Sequence, residues 1–260
     1  CMIYLISHHS MQFFVLIILA CSAQAFAQST GNVQPVTLQF ETRTPIDGSK
    51  DWDWWQARTA FVPGNSPFLI TTMSETGRTG THNFHDIYQS ISSDDGRTWS
   101  KPAPIPSLKR TLQADGYEVA PGDLWPTWHA RTGKVLVTGK TFNFENGKNE
   151  NRLREKVSYS VMAPASEKWG PLRFLTLPER DHSGKPIVAV NAGCTQRVDL
   201  PNGDILLPVR YWRDAKKHNY TSIVARCSFD GESLTYKEHG TEHTLPAGRG
   251  LYEPSLAEFE

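Results

Sequence analysis

Few residues of this 260-residue chain combine a reactive type with a suggestive setting. Arg58 sits in the run WWQARTAFVP at 54–63. The planar fork of an arginine pairs bidentately with a carboxylate. Glu75, Arg78, His82, His85 and Asp86 follow within one short stretch. Carboxylates and imidazoles so close in sequence can move protons near neutral pH. Asp123, Gln196, Arg197 and Arg210 are polar groups among apolar runs, each with an ordinary solvated reading beside a ligand-binding one. Glu253 falls in GLYEPSLAE at 250–258, which reads as a strand start. Trp52, Trp54 and Trp55 can form a stacking platform or simply pack. No His, Cys and carboxylate set has ligand spacing, so no metal and no organic cofactor is expected.

The composition narrows the partners. Lys plus Arg number 27 and Asp plus Glu 27, so the net charge is zero. That argues against a basic nucleic-acid binder. A hydrophobic content of 38% supports a packed core, and 19 Gly with 17 Pro suit a turn-rich all-β chain. Residues 13–20 read FFVLIILA, an apolar run of signal-peptide length and too short to span a bilayer. Ala25-Phe26-Ala27 supplies a cleavage signal, although no Lys or Arg precedes the run. Residues 1–27 are therefore expected to be upstream residues and a signal peptide, and 28–260 the folded part. The expected location is secreted or periplasmic, without a membrane span. A lipoprotein anchored through Cys21 is the alternative. Cys194 and Cys227 then remain, too few for a disulfide framework, and both read as small buried residues.

The elements that must position these groups are short strands. FLITTM at 68–73, KVLVTG at 134–139 and DILLPV at 204–209 lack helical spacing, and no long helix-period segment occurs. The order of events repeats about every seventy residues and closes on Trp99, Trp169 and Tyr236. Four strands per unit at a fixed period predicts β-propeller blades, with a plain β-sandwich as the alternative.

Residues 92–99 carry the most specific motif, Ser92-Ser93-Asp94-Asp95-Gly96-Arg97-Thr98-Trp99. Asp94 can accept backbone N–H bonds inside a hairpin turn, and Gly96 supplies a positive φ. This S-x-D-x-G-x-T-W turn resembles the Asp box of the sialidase (neuraminidase) superfamily. Residues 228–234, SFDGESL, look like a degenerate copy. The resemblance implies an all-β, six-bladed propeller. The chain would supply about three blades and the first strand of a fourth, as an N-terminal fragment. The box is structural, with Ser92, Asp94, Gly96, Thr98 and Trp99 as its members.

The resemblance also assigns roles. Arg58 is similar to the first arginine of the family's carboxylate-binding triad, although its proline is displaced to Pro63. Glu253 is similar to the glutamate that activates a tyrosine nucleophile lying beyond this chain. The acid/base aspartate is expected between the second and third strands of the first blade. Asp86 ranks first there, Glu75 second, with the counted position near Thr81. Arg78, His85, Asp123, Gln196, Arg197 and Arg210 are candidate substrate contacts. The implied activity is exo-α-sialidase-like glycoside hydrolysis by a retaining mechanism, inactive in the fragment alone. The implied partner is a sialylated glycan or another acidic sugar. A non-catalytic propeller that binds glycan or protein is the alternative, and a hydrolase or lyase acting on another acidic sugar is a third.

Overall fold

A computed structural model describes residues 37, 46–78, 83–146 and 149–258. The expected signal peptide with Cys21, as well as Thr81 and His82, lies outside the described residues. The first sheet runs β1 (Trp52–Val62), β2 (Phe68–Gly77), β3 (Phe84–Ser92) and β4 (Ala103–Pro104), in that spatial order. After β5 (Thr111–Leu112), the second sheet is built on β6 (Tyr117–His129) and β7 (Lys134–Glu145). It continues through β8 (Asn149–Glu150), β9 (Val157–Ala163), β10 (Lys168–Trp169) and β11 (Arg173–Phe174). The third contains β12 (Val188–Asn191), β13 (Val198–Asp199), β14 (Asp204–Trp212), β15 (Tyr220–Phe229), β16 (Leu234–His239) and β17 (His243–Thr244). Each sheet has an antiparallel four-strand path in chain order: β1-β2-β3-β4, β6-β7-β9-β10 and β12-β14-β15-β16. These are the three expected blades.

Alternation along β7 shows how they stack. Leu136 packs with Ile205, Leu207, Val209 and Ile223 of the third sheet. Its neighbours Val135 and Val137 pack with Ala60, Val62 and Ile70 of the first. Successive side chains of a strand point to opposite faces. The second sheet is thus covered on both sides, and β7 is buried from Val135 to Phe144. A propeller blade differs here from a sandwich sheet, which keeps one face in water.

The 92–99 turn forms the bonds its residues predict. Asp94 accepts from the Thr98 N–H (2.8 Å) and the Thr98 hydroxyl (2.6 Å), while the Ser92 hydroxyl accepts from the Gly96 N–H (2.9 Å). Gly96 holds φ +81, and the Trp99 indole donates to its carbonyl (3.1 Å). These donors hold the Asp94 carboxyl down at about 2. The degenerate copy keeps only the Asx part, with Asp230 accepting from the N–H groups of Glu232 and Ser233.

The expected first strand of a fourth blade is corrected in one respect: residues 251–258 carry no strand assignment. A first strand is ordered by pairing with its own second strand, and no second strand of a fourth blade occurs among the described residues. The segment still lies beside the third blade, where the Leu256 N–H donates to the Gln196 carbonyl (3.1 Å).

Candidate active site

The first strands of the blades share one irregularity. Gln56, Asp123, Cys194 and Glu253 all have φ between +53 and +58. These positions recur roughly every sixty to seventy residues, one per unit. In β1 and β6 the register slips at that point, between Trp55 and Arg58 and between Gly122 and Trp125. Such a bulge bends the strand and re-aims its side chains. A positive φ costs a non-glycine residue strain, and strain of this kind gathers at functional sites.

The kinks also touch one another. The Asp123 N–H donates to Gln56 Oε1 (2.9 Å), and the Cys194 N–H to the Asp123 carbonyl (3.3 Å). The kinks at Gln56, Asp123 and Cys194 therefore meet around a common line, and the fourth, at Glu253, carries its charge close to Asp123 and Cys194. Gly193 makes room there, because a Cβ on it would fall 2.7 Å from the Asp123 carboxylate.

Charged groups converge on this point. Arg210, on β14, is only 1% exposed, yet its Nε and Nη1 have no hydrogen-bond partner among the described residues. Its Nη1 lies 3.6 Å from Glu253 Oε1, and its guanidinium stacks on Tyr252 at 3.8 Å. Asp123 is buried, and its Oδ1 is likewise unbonded. Burial pushes the Asp123 carboxyl above the usual carboxylate range, against the pull of Lys140 and Arg210. Lys140 pairs with Glu155 at 3.2 Å, and Asn191 donates to the other Glu155 oxygen. The Cys194 thiol is pushed up to about 12 by burial and by the nearby carboxylates. Arg58 borders the group, with its guanidinium 5.0 Å from the Trp125 ring centroid and its field acting on Cys194.

Of the residues singled out from sequence, Arg58, Asp123, Arg210 and Glu253 are brought together. Gln196 is adjacent and exposed, its N–H directed at the Ser255 hydroxyl. The others are not part of the group. Arg197 is corrected to a structural role: buried, it donates to Asp199 (2.8 Å) and to the carbonyls of Leu136 (2.8 Å) and Thr127 (3.3 Å). Arg78 forms a bidentate pair with Asp53 on the surface. Asp86 accepts from the Arg110 N–H (2.9 Å), which ties it to the connection after β4. Burial, and then the nearby Glu75, raises the Tyr88 pKa, and the Tyr88 ring meets Trp54. His85 sits half-buried on β3. Trp52 and Trp54 pack edge to face at 4.3 Å, and Trp54 against Tyr88 at 4.8 Å.

Sequence reasoning missed Gln56, Lys140, Glu155, Asn191 and Cys194. The available signal was the repeat itself: aligning Arg58 with Trp125 and Gln196 places Gln56, Asp123 and Cys194 in one column.

No protein-family model matches the sequence, and no curated protein matches it. Solved structures do match the fold. A Hadza microbial sialidase is 15% identical with a TM-score of 0.54, over 80% of this chain and 40% of that one. The Trypanosoma rangeli sialidase in complex with sialic acid is 16% identical with a TM-score of 0.55, over 83% of this chain and 35% of that one. A protein of unknown function from Dyadobacter fermentans is 12% identical with a TM-score of 0.55, over 77% of this chain and 57% of that one. The chain thus has a sialidase-type β-propeller fold and spans at most two fifths of those two sialidases.

Proposed function

We propose that the whole protein is an exported sialidase-like glycoside hydrolase acting on a terminal acidic sugar, with sialic acid first. One observation carries this reading. A buried arginine with unbonded N–H groups, Arg210, meets a desolvated Asp123 and an exposed Glu253 where the blades converge. An enzyme needs two carboxyls in opposite states, one to give a proton and one to take it. Desolvation of Asp123 favours its protonated form. Glu253 is 46% exposed at its side chain and lies 3.6 Å from the Arg210 guanidinium. Arg58 supplies a fork for the sugar carboxylate. Glu253 would then draw the proton from a tyrosine hydroxyl as it attacks the anomeric carbon. Asp123 replaces Asp86 as the best placed donor to the leaving oxygen, because Asp86 is held by the Arg110 backbone.

The second reading, a non-catalytic propeller that binds glycan, draws on the same finding about Asp86. The two acids expected in the blade-one loop lie on strands instead, Glu75 on β2 and Asp86 on β3. Turnover separates the two. The whole protein should hydrolyse a fluorogenic sialoside, and Arg58→Ala should lower kcat/KM by about a hundredfold or more while the thermal midpoint stays put. Binding without turnover would favour the second reading, and turnover unchanged in Arg58→Ala would remove Arg58 from the site.

A further inference from the structure

We propose that His182, His239 and Glu242 form a zinc site on the third blade, separate from the axial group and independent of the activity proposed above. The two histidine ring nitrogens and one Glu242 oxygen lie within 4.8 Å of one another. His239 Nε2 is 3.3 Å and His182 Nδ1 is 3.4 Å from Glu242 Oε1. Zinc bound to nitrogen and oxygen at about 2.0–2.1 Å in a tetrahedron sets its ligands roughly 3.3–3.4 Å apart. Both measured edges have that length.

The surroundings prepare these ligands. His239 is buried at its side chain (1% exposed), and its Nδ1 is 2.6 Å from the Tyr236 hydroxyl. Without an ion, His239 Nε2–H donates to Glu242 Oε1 (3.3 Å); with zinc bound, Nδ1–H would donate to the phenol and leave the Nε2 lone pair for the ion. An outer hydrogen bond of this kind fixes the tautomer of a metal-binding histidine. His182 stands at the tip of a tight turn organised by Asp181, which accepts from the N–H groups of Ser183 and Lys185 (both 2.9 Å). Arg213 is 4.0 Å from Glu242 Oε2 but donates directly to Asp181, which also accepts the Tyr211 hydroxyl. Asp181 thus takes the direct bond of Arg213, while Glu242 Oε1, which accepts the backbone His182 N–H (2.8 Å), faces both imidazoles. The His182 ring stacks on His239 at 4.0 Å and is 60% exposed. A turn of this exposed ring brings Nδ1 into line with an ion held in the plane of His239.

Two imidazoles and a carboxylate suit zinc among the common divalent ions, with water completing the shell. The ion would clip the turn before β12 to the turn after β16, which the backbone joins only through the length of the third blade. Sequence spacing concealed the set: His239 and Glu242 are three apart, but His182 is far upstream.

The test is a titration of the chelator-stripped chain with zinc chloride by calorimetry, with cobalt as an optical probe. One zinc per chain should bind, the thermal midpoint should rise with added zinc, and cobalt should give visible bands of a four- or five-coordinate nitrogen and oxygen site. His182→Ala removes an exposed ring, so its zinc-free midpoint should match the wild type while its zinc affinity falls at least tenfold. Glu242→Gln should lose the cobalt bands. An absence of zinc binding, or zinc affinity unchanged in His182→Ala, would overturn the assignment.

Discussion

Lys140→Met tests whether the polar group between the blades is integral to the fold. Lys140 and Glu155 are 5% and 0% exposed at their side chains and lie 3.2 Å apart. Removing one member of a buried pair strands the other charge, at a cost of about 3–5 kcal/mol. In a unit of this size each kcal/mol moves the midpoint by about 2–4 °C, so the variant should melt roughly 6–20 °C lower. The same change removes the strongest opposing pull on the Asp123 proton, so that carboxyl should rise further. Adding Glu155→Met abolishes the stranded charge. The double variant leaves the Asn191 amide without its Glu155 acceptor and should return to within about 1–3 kcal/mol of the wild type. Thermal melts of the two single variants and the double variant, read as a cycle, give the coupling. A double variant as unstable as the two singles added together would refute the pairing argument.

Three further outcomes follow from the same contacts. Asp123 has a raised folded pKa, so folding keeps a proton that the unfolded chain sheds above about 3.9. Its contribution to stability therefore falls as pH rises through the folded value, and Asp123→Asn should gain on the wild type in denaturant melts as pH rises from 4 toward neutrality. Asp94 has a depressed folded pKa of about 2, so its contribution is present above the ordinary carboxylate range and is lost as pH falls toward about 2. Asp94→Asn should be less stable than the wild type at neutral pH, and the two melts should converge near pH 2. Arg197→Ala should cost about 3 kcal/mol or more, yet leave KM for a sialoside unchanged in the whole protein while it is folded, because every recorded bond of Arg197 is to its own blades.

The blades were legible because their signals are local. The runs at 68–73, 134–139 and 204–209 became β2, β7 and β14, and the 92–99 turn closed with the bonds its residue types require. Arg58, Asp123, Arg210 and Glu253, all named from the sequence, lie near one another in the structure. The roles of Arg197 and Asp86 were not legible, because hydrogen bonding to Leu136 and to Arg110 depends on how separate strands dock. Lys140 was missed for a further reason. Alternation normally marks a polar strand residue as facing solvent, but β7 is covered on both faces, so a lysine there points into the interior.

In the proposed function the acidic sugar binds where the four kinked residues gather. A crystal structure of the whole protein soaked with sialic acid tests it most directly. The account predicts the sugar against Asp123, Arg210 and Glu253, with its carboxylate within hydrogen-bond reach of Arg58. Sialic acid seated instead in the aromatic groove of Trp52, Trp54 and Tyr88, with the axial group untouched, would contradict it.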